Sequence, residues 1–288
     1  MKKKLLIALT CFFAVADLTA QETKVTSTEF NKKSQPAIAA DFEMSGPIAE
    51  GAIKKKMSDA KIKGGSNKNG FITYQEVIVP ELRAEKMDVY FKIEDRKTSC
   101  TVMLLTSKGY ENFMSRETDP EVVDKSMVYL VNLRKDIMSF GYNDEIVKQE
   151  EKVKDLEKDL KKATKEAASL AKDKTKAEGK AAENRNEIAK LKADVDNQNK
   201  TLEFVKAKTG TVDQMSAIKK EISKQEDAVK SATKKYDSAV KNDAVYNEDI
   251  QKATTKINEN QTEQVKIKTE IESVKAKIAE LKGKLAAL

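Results

Sequence analysis

The feature that most constrains this chain is a heptad repeat of apolar residues that fills its second half in two segments. A period of 3.5 residues is the mark of a left-handed coiled coil. Residues 144–288 contain no proline, which is what uninterrupted helices require. The first seam comprises Ile146, Val153, Leu156, Leu160, Ala163, Ala167, Leu170, Ala177, Ala181, Ile188, Leu191, Val195, Leu202 and Val205. The second comprises Met215, Ile218, Ile222, Val229, Ala232, Tyr236, Ala239, Tyr246, Ile250, Ala253, Ile257, Ile267, Ile271, Val274, Ile278, Leu281, Leu285 and Leu288.

The stretch between the two segments carries signals that end one helix and start another. Gly210 follows a Lys-Thr pair, and a glycine there suits the left-handed conformation that stops many helices. Thr211 and Gln214 have the spacing of a capping box, in which each side chain bonds the other's free backbone amide. We therefore predict two antiparallel helices over residues 144–288, with the turn near residues 207–213. A single rod with a hinge is the alternative.

The seams also suggest which residues face each other across the hairpin. If Val205 faces Met215, the numbers of facing residues add to 420. This register places Lys174 within one turn of Asp243, and these are the only charged residues of the two seams. An unpaired buried charge is costly, so we hypothesise that the two side chains form an ion pair that specifies the antiparallel register. The alternative is that both side chains extend separately into solvent.

The same register leaves the end of the second helix without a partner. Ile146 would face Val274, so residues 275–288 would extend past the start of the first helix. This segment still carries the apolar residues Ile278 and Leu281, and it therefore needs a cover. Either the last helix of the preceding domain or a second subunit could supply it.

Residues 36–143 have the composition of a small globular domain that contains all four prolines of the chain. Their patterning predicts the order β-α-β-β-β-α, with a single antiparallel or mixed sheet and helices on one side. Residues 21–35 are polar and are expected to form a loose lead-in. The predicted strands are 37–42, 71–79, 87–93 and 99–106, and the predicted helices are 47–60 and 120–138. The fold class predicted for the whole chain is α+β, with this domain followed by a long antiparallel coiled-coil hairpin.

The first 20 residues have the features of a secretory signal peptide. Three lysines precede an apolar stretch from Leu5 to about Val15, which is too short to anchor the chain in a bilayer. Ala20 offers a small residue for cleavage before Gln21. We expect an exported chain with no transmembrane segment after cleavage, and lipidation of Cys11 is the alternative.

Cleavage would leave Cys100 as the one cysteine of the mature chain. A free thiol in an oxidising compartment is either buried or available for an intermolecular bond, and the strand-like setting of Cys100 favours burial. Removing three lysines and one aspartate lowers the formal charge from +7 to +5. This excess is spread over a long charged surface, which is typical of a solvated coiled coil and not of a nucleic-acid interface.

The sequence offers no catalytic or metal-binding pattern. The absence of histidine excludes Ser-His-Asp and Cys-His catalysis and the usual histidine-based metal sites. The pair Gly65 and Gly70 is followed by Phe71 and not by the lysine of a phosphate-binding loop. The run Lys54-Lys55-Lys56 is interpreted as the exposed face of a helix, with an anion site as the alternative. We predict no enzymatic activity, no cofactor and no metal.

These features favour an exported envelope protein with a structural or interaction role, carried by the hairpin. A basic, exported, coiled-coil hairpin resembles in outline the periplasmic Skp (OmpH) chaperones, and this resemblance implies a holdase that encloses unfolded outer-membrane proteins. The separate domain before the hairpin departs from that outline. An adaptor of an export or efflux assembly, which docks through the hairpin tip, is a further alternative. We expect protein partners in the envelope or self-association, and a periplasmic location, with a secreted or surface-associated location as the alternative.

Overall fold

A computed structural model describes residues 23–288 of the chain. The predicted signal peptide and Cys11 lie outside the described residues. The chain divides into two compact units. Unit 1 ends at Gln149 and also includes Ile278–Leu288, and unit 2 comprises Glu150–Lys277.

Unit 1 is built on one antiparallel sheet of six strands. The strands are β1 (Lys24–Phe30), β2 (Lys33–Phe42), β3 (Ser66–Lys68), β4 (Phe71–Val79), β5 (Arg83–Asp95) and β6 (Cys100–Ser107). Their order across the sheet is β1-β2-β6-β5-β4-β3. Helix α1 (Gly46–Asp59) connects β2 to β3, and helix α2 (Pro120–Lys206) follows β6. The predicted α+β class is confirmed, and the sheet contains two more strands than the sequence predicted.

The expected loose lead-in at residues 21–35 is wrong, because this region forms most of a β-hairpin. Strand β1 pairs with β2 from Lys24, opposite Ala39, to Phe30, opposite Lys33. The two residues of the turn, Asn31 and Lys32, have positive φ angles of 48° and 62°, as a two-residue hairpin turn requires. The sequence of β1 is mostly polar because this strand lies at the edge of the sheet, where few of its side chains are buried.

One face of the sheet packs against both helices of unit 1. Strand residues such as Phe91 and Leu104 join Ile53 of α1 and Leu133 of α2 in one core cluster, and all four are at most 1% exposed. The close approach of α1 to α2 depends on Gly51, since a Cβ atom at this position would lie 2.6 Å from the ring of Phe140. The prediction that the helix starting at residue 120 ends at residue 138 is wrong, because α2 continues to Lys206 without a proline to interrupt it.

The other face of the sheet is concave. The ammonium group of Lys92 on β5 donates to the hydroxyl of Thr28 on β1 at 2.9 Å, although two strands separate β5 from β1 in the sheet. This contact requires the sheet to curl. Inside the curl, the ring of Phe30 packs edge-on against Phe71, Tyr90 and Phe113, with ring centroids 4.9 to 5.1 Å apart. Unit 1 therefore has a second, smaller aromatic core on its concave face.

The C-terminal segment finds its cover within unit 1. Ile278 and Leu281 are 9% and 5% exposed, and residues 278–288 belong to unit 1 together with the start of α2. Of the two covers that the sequence suggested, the structure shows the one supplied by the same chain.

Unit 2 is a helical hairpin formed by α2 and by α3 (Val212–Ala286). Its buried apolar residues, which include Ala181, Leu202 and Ala232, are members of the two predicted apolar seams. The paired helices confirm the predicted hairpin and exclude the continuous rod.

Candidate functional site

The two helices of unit 2 are joined by polar contacts placed at gaps in the apolar seams. The amide nitrogen of Asn184 donates to the carbonyl of Ala239 at 2.8 Å. Towards the tip, the amide of Gln225 donates to the side-chain oxygen of Gln198 at 2.6 Å and to its backbone carbonyl at 3.1 Å. These three side chains are half-buried, and half-buried polar groups that bond across the helices favour the alignment at which those bonds form.

A second polar cluster lies nearer the base of the hairpin. Asn260 is 9% exposed, donates to Glu166 at 3.3 Å and accepts a hydrogen bond from Gln264 at 2.7 Å. Gln264 also donates to the carbonyl of Ala163 at 3.5 Å. Two ion pairs, Lys152 with Glu270 at 2.8 Å and Lys275 with Glu157 at 3.1 Å, also join the two helices in this part of the hairpin.

The structure does not bring Lys174 and Asp243 together. Lys174 lies 3.7 Å from Glu178 of its own helix, whereas Asp243 lies 3.3 Å from Arg185 and accepts a hydrogen bond from Asn247 at 2.8 Å. The predicted ion pair between Lys174 and Asp243 is therefore wrong.

The error lies in the register. The numbers of contacting residues add to 423 for Gln198 with Gln225 and to 426 for Glu166 with Asn260. Those of Lys174 and Asp243 add to only 417. At 1.5 Å per residue, this difference separates the two charges by about 9 to 14 Å along the hairpin.

The turn of the hairpin comprises residues 207–211, between the end of α2 and the start of α3. The backbone amide of Thr211 donates to the side-chain oxygen of Gln214 at 2.8 Å, which is one half of the capping box. Gly210 does not have the positive φ angle that a left-handed helix stop requires. A glycine is favoured here for another reason, because a Cβ atom would lie 2.7 Å from the capping oxygen of Gln214 and 2.8 Å from its Cβ atom.

The hairpin tip exposes large apolar side chains. We use this name for residues 204–215, in which Phe204, Val212 and Met215 are 70%, 88% and 40% exposed. Lys208 lies over the ring of Phe204 at 5.7 Å and pairs with Glu221 at 2.9 Å, so its charge is held beside the apolar surface. Other exposed valines of α3, such as Val265, are separated along the helix, and single apolar residues on a surface need no explanation. The hairpin tip, by contrast, exposes three large apolar side chains within twelve residues of sequence.

Cys100 is buried in the main core of unit 1 at 1% exposure. Burial, with smaller contributions from Asp95 and Asp41, raises the pKa of this thiol to about 11. The thiolate is therefore scarce at neutral pH, and the side chain behaves as a small apolar residue.

The lysine run of α1 is held by acidic neighbours. Lys54 pairs with Glu50 and Lys55 with Asp59, whereas Lys56 lies 3.0 Å from Asp136 and 3.2 Å from Glu81. Burial acts to lower the pKa of Lys56, but the two carboxylates outweigh it and the pKa is raised. Lys56 ties α1 to α2 and is not free to bind an anion.

Within residues 23–288, no group of three acidic, cysteine or histidine side chains is arranged to hold a metal ion. In the same part of the chain, neither long helix contains a stretch apolar enough to cross a membrane.

Comparison of the sequence with protein-family models and with curated proteins finds no match. The geometry of the hairpin, its polar contacts and its exposed tip must therefore carry the functional argument by themselves.

Proposed function

We propose that this chain is a non-enzymatic interaction protein whose coiled-coil hairpin presents its tip to a protein partner. The observation that carries the proposal is the exposure of Phe204, Val212 and Met215 at the turn of the hairpin. Burial of either Val212 or Phe204 in an interface would contribute roughly 1.5 to 3 kcal/mol to the binding free energy. Aromatic and methionine side chains are enriched at the centres of protein interfaces.

The body of the hairpin supports this role by limiting how the helices can slide. Polar contacts at Asn184, Gln198 and Asn260 join the two helices that carry the tip, and they favour one alignment of these helices. A surface that is ordered before binding loses less conformational entropy when it binds. A structural hairpin without a partner would have no need of an apolar tip.

We place the protein in the cell envelope, in the periplasm, because the first 20 residues have the pattern of a signal peptide. An adaptor of an export or efflux assembly would also dock through the tip, so it is one form of the interaction protein proposed here. The holdase differs, because it would bind unfolded chains along the arms and not at the tip.

The test uses site-specific photo-crosslinking in cells that express the full chain. A photoreactive residue at position 212 should capture one discrete protein, and the same residue at position 265 should not. Val265 is the matched control, because it is an exposed valine of the same helix at 62% exposure. Met215→Asp should abolish the capture from position 212 and leave the helix content unchanged.

Equal capture from positions 212 and 265 would contradict a tip interface. The holdase alternative predicts such spread-out capture, together with suppressed aggregation of an unfolded outer-membrane protein by the purified chain. A tip-binding protein should leave that aggregation unchanged.

A further inference from the structure

Two hairpin turns, a bulge and a loop of unit 1 meet at one mouth of the curled sheet and enclose a cavity of about 510 Å³. We call it the turn-end cup, and its rim comprises Asn31, Asn69, Glu76, Tyr110 and Glu111. Binding sites for small molecules commonly have volumes of ~300 to 1,000 Å³ and are found at the mouths of curled or closed sheets. The size and the position of the cup therefore fit a small ligand.

The floor of the cup is polar and already ordered. Asp88 is 7% exposed, and its two oxygens accept from the backbone amide of Glu76 at 2.8 Å and from the hydroxyl of Tyr90 at 3.2 Å. Burial, followed by the charge of Asp88, raises the pKa of Tyr90 to about 12, so this hydroxyl keeps its proton. The hydrogen bonds of the floor are therefore made within the protein, and the floor is ordered before a ligand binds.

The rim is held in an unfavourable backbone conformation. Eight residues other than glycine have positive φ angles in the described chain, and five of them form this rim, with φ between 48° and 58°. Asparagine tolerates such angles, whereas they are sterically unfavourable for Glu76, Tyr110 and Glu111. Strain concentrated around one cavity is typical of sites where side chains must point in a set direction.

The rim side chains are also bonded to one another across the cup. The amide nitrogen of Asn31 donates to Glu111 at 2.6 Å, and that of Asn69 donates to the side-chain oxygen of Asn31 at 3.3 Å. These bonds join the two hairpin turns to the loop, so the rim is one connected structure.

The charges of the cup narrow the class of ligand. It contains three carboxylates, on Glu76, Asp88 and Glu111, and one ammonium group, on Lys68, which disfavours an anion. Both oxygens of Asp88 are bonded and Glu111 accepts from Asn31, so the cup offers no cluster of unbonded carboxylates to a cation.

The uncharged groups of the cup suit hydroxyls. The amide of Gln75 both donates and accepts hydrogen bonds, as a hydroxyl does. The ring of Tyr110 is fully exposed at the rim, and an aromatic ring in this position can cover an apolar face of a ligand.

We propose that the turn-end cup binds a neutral polyhydroxylated molecule of the sugar class. The ring of Tyr110 covers the C–H face of the sugar, and Gln75 and Glu76 bond its hydroxyls. This site is independent of the hairpin tip.

The test is saturation-transfer NMR and calorimetry on the full chain. The probes are glucose, galactose, N-acetylglucosamine, cellobiose and chitobiose, with spermidine as the cationic comparison and citrate as the anionic one. At least one sugar should bind with a Kd below about 10 mM, and spermidine and citrate should not. Tyr110→Ala should weaken that sugar about tenfold, and Gln75→Ala should weaken it by a similar factor.

Both variants should fold, because both side chains are exposed. The matched control is Phe204→Ala, which removes an exposed ring of the hairpin tip and should leave sugar binding unchanged. The proposal is overturned if no sugar of the panel binds, if Tyr110→Ala leaves the affinity unaltered, or if spermidine binds in a Tyr110-dependent way. Photo-crosslinking at the hairpin tip tests the proposed function separately, so failure of the sugar site would not count against the tip interface.

Discussion

A double-mutant cycle can decide which charged residues align the hairpin. The structure pairs Arg185 with Asp243, and it also places Asn247 between them, where it accepts from Arg185 and donates to Asp243, both at 2.8 Å. The side chains of Arg185 and Asp243 are 59% and 23% exposed. Exposed ion pairs contribute about 0.2 to 1 kcal/mol, and the low exposure of Asp243 favours the upper end of that range. We expect Arg185→Ala and Asp243→Ala to show a coupling free energy near 1 kcal/mol.

The corresponding cycle on Lys174→Ala and Asp243→Ala should show no coupling. The two charges are separated by about 9 to 14 Å along the hairpin. That distance exceeds the Debye length of about 8 Å at physiological salt. The expected coupling therefore falls within the ~0.3 to 0.5 kcal/mol by which distant mutations depart from additivity.

The assay is urea denaturation followed by far-UV circular dichroism, which α2 and α3 dominate with 87 and 75 residues. Raising the salt concentration should reduce the coupling of Arg185 with Asp243, because the pair is partly exposed. A coupling of Lys174 with Asp243 that equals or exceeds that of Arg185 with Asp243 would refute the observed register.

Four further substitutions and one labelling experiment test other parts of the structure. Gly64→Ala should lower the free energy of unfolding by roughly 2 to 4 kcal/mol. The alanine would have to adopt a φ of +137°, and its Cβ atom would lie 2.7 Å from the ring of Tyr74. Gly70→Ala, where φ is +81° and nothing lies within 4 Å, should cost only about 1 to 2 kcal/mol in the same denaturation assay. Gly179→Ala should raise the melting temperature of the hairpin, since it adds about 1 kcal/mol of helix propensity in open space. The pKa of Cys100 is raised in the folded state, so its stabilising contribution is present below the unfolded pKa and is lost as the pH rises towards about 11. Cys100→Ala should flatten that alkaline loss, and thiol labelling of the native chain near pH 8 should proceed only as fast as it unfolds.

Local patterns in the sequence were sufficient to predict most of the architecture. The 3.5-residue period identified both helices of the hairpin, because a seam must face its partner at every turn. Alternating residues identified β4, β5 and β6, whose side chains meet a core on at least one face. The edge strand β1 was missed because its polar side chains carry little pattern. Its place in the sheet depends on pairing with β2 and on the packing of the partly buried Phe30 against the concave aromatic core.

The sequence by itself determined that two helices pair and where the chain turns between them. The tertiary structure alone decided the alignment of the helices, because the apolar seams predicted facing residues whose numbers add to 420, whereas the observed polar contacts add to 423 and 426. Polar residues in the seams favour the observed alignment, since the half-buried Gln198 and Gln225 bond each other there. The turn-end cup was likewise beyond the sequence. Asn31, Glu76 and Tyr110 are far apart in the chain, and the curl of the sheet brings them to one mouth.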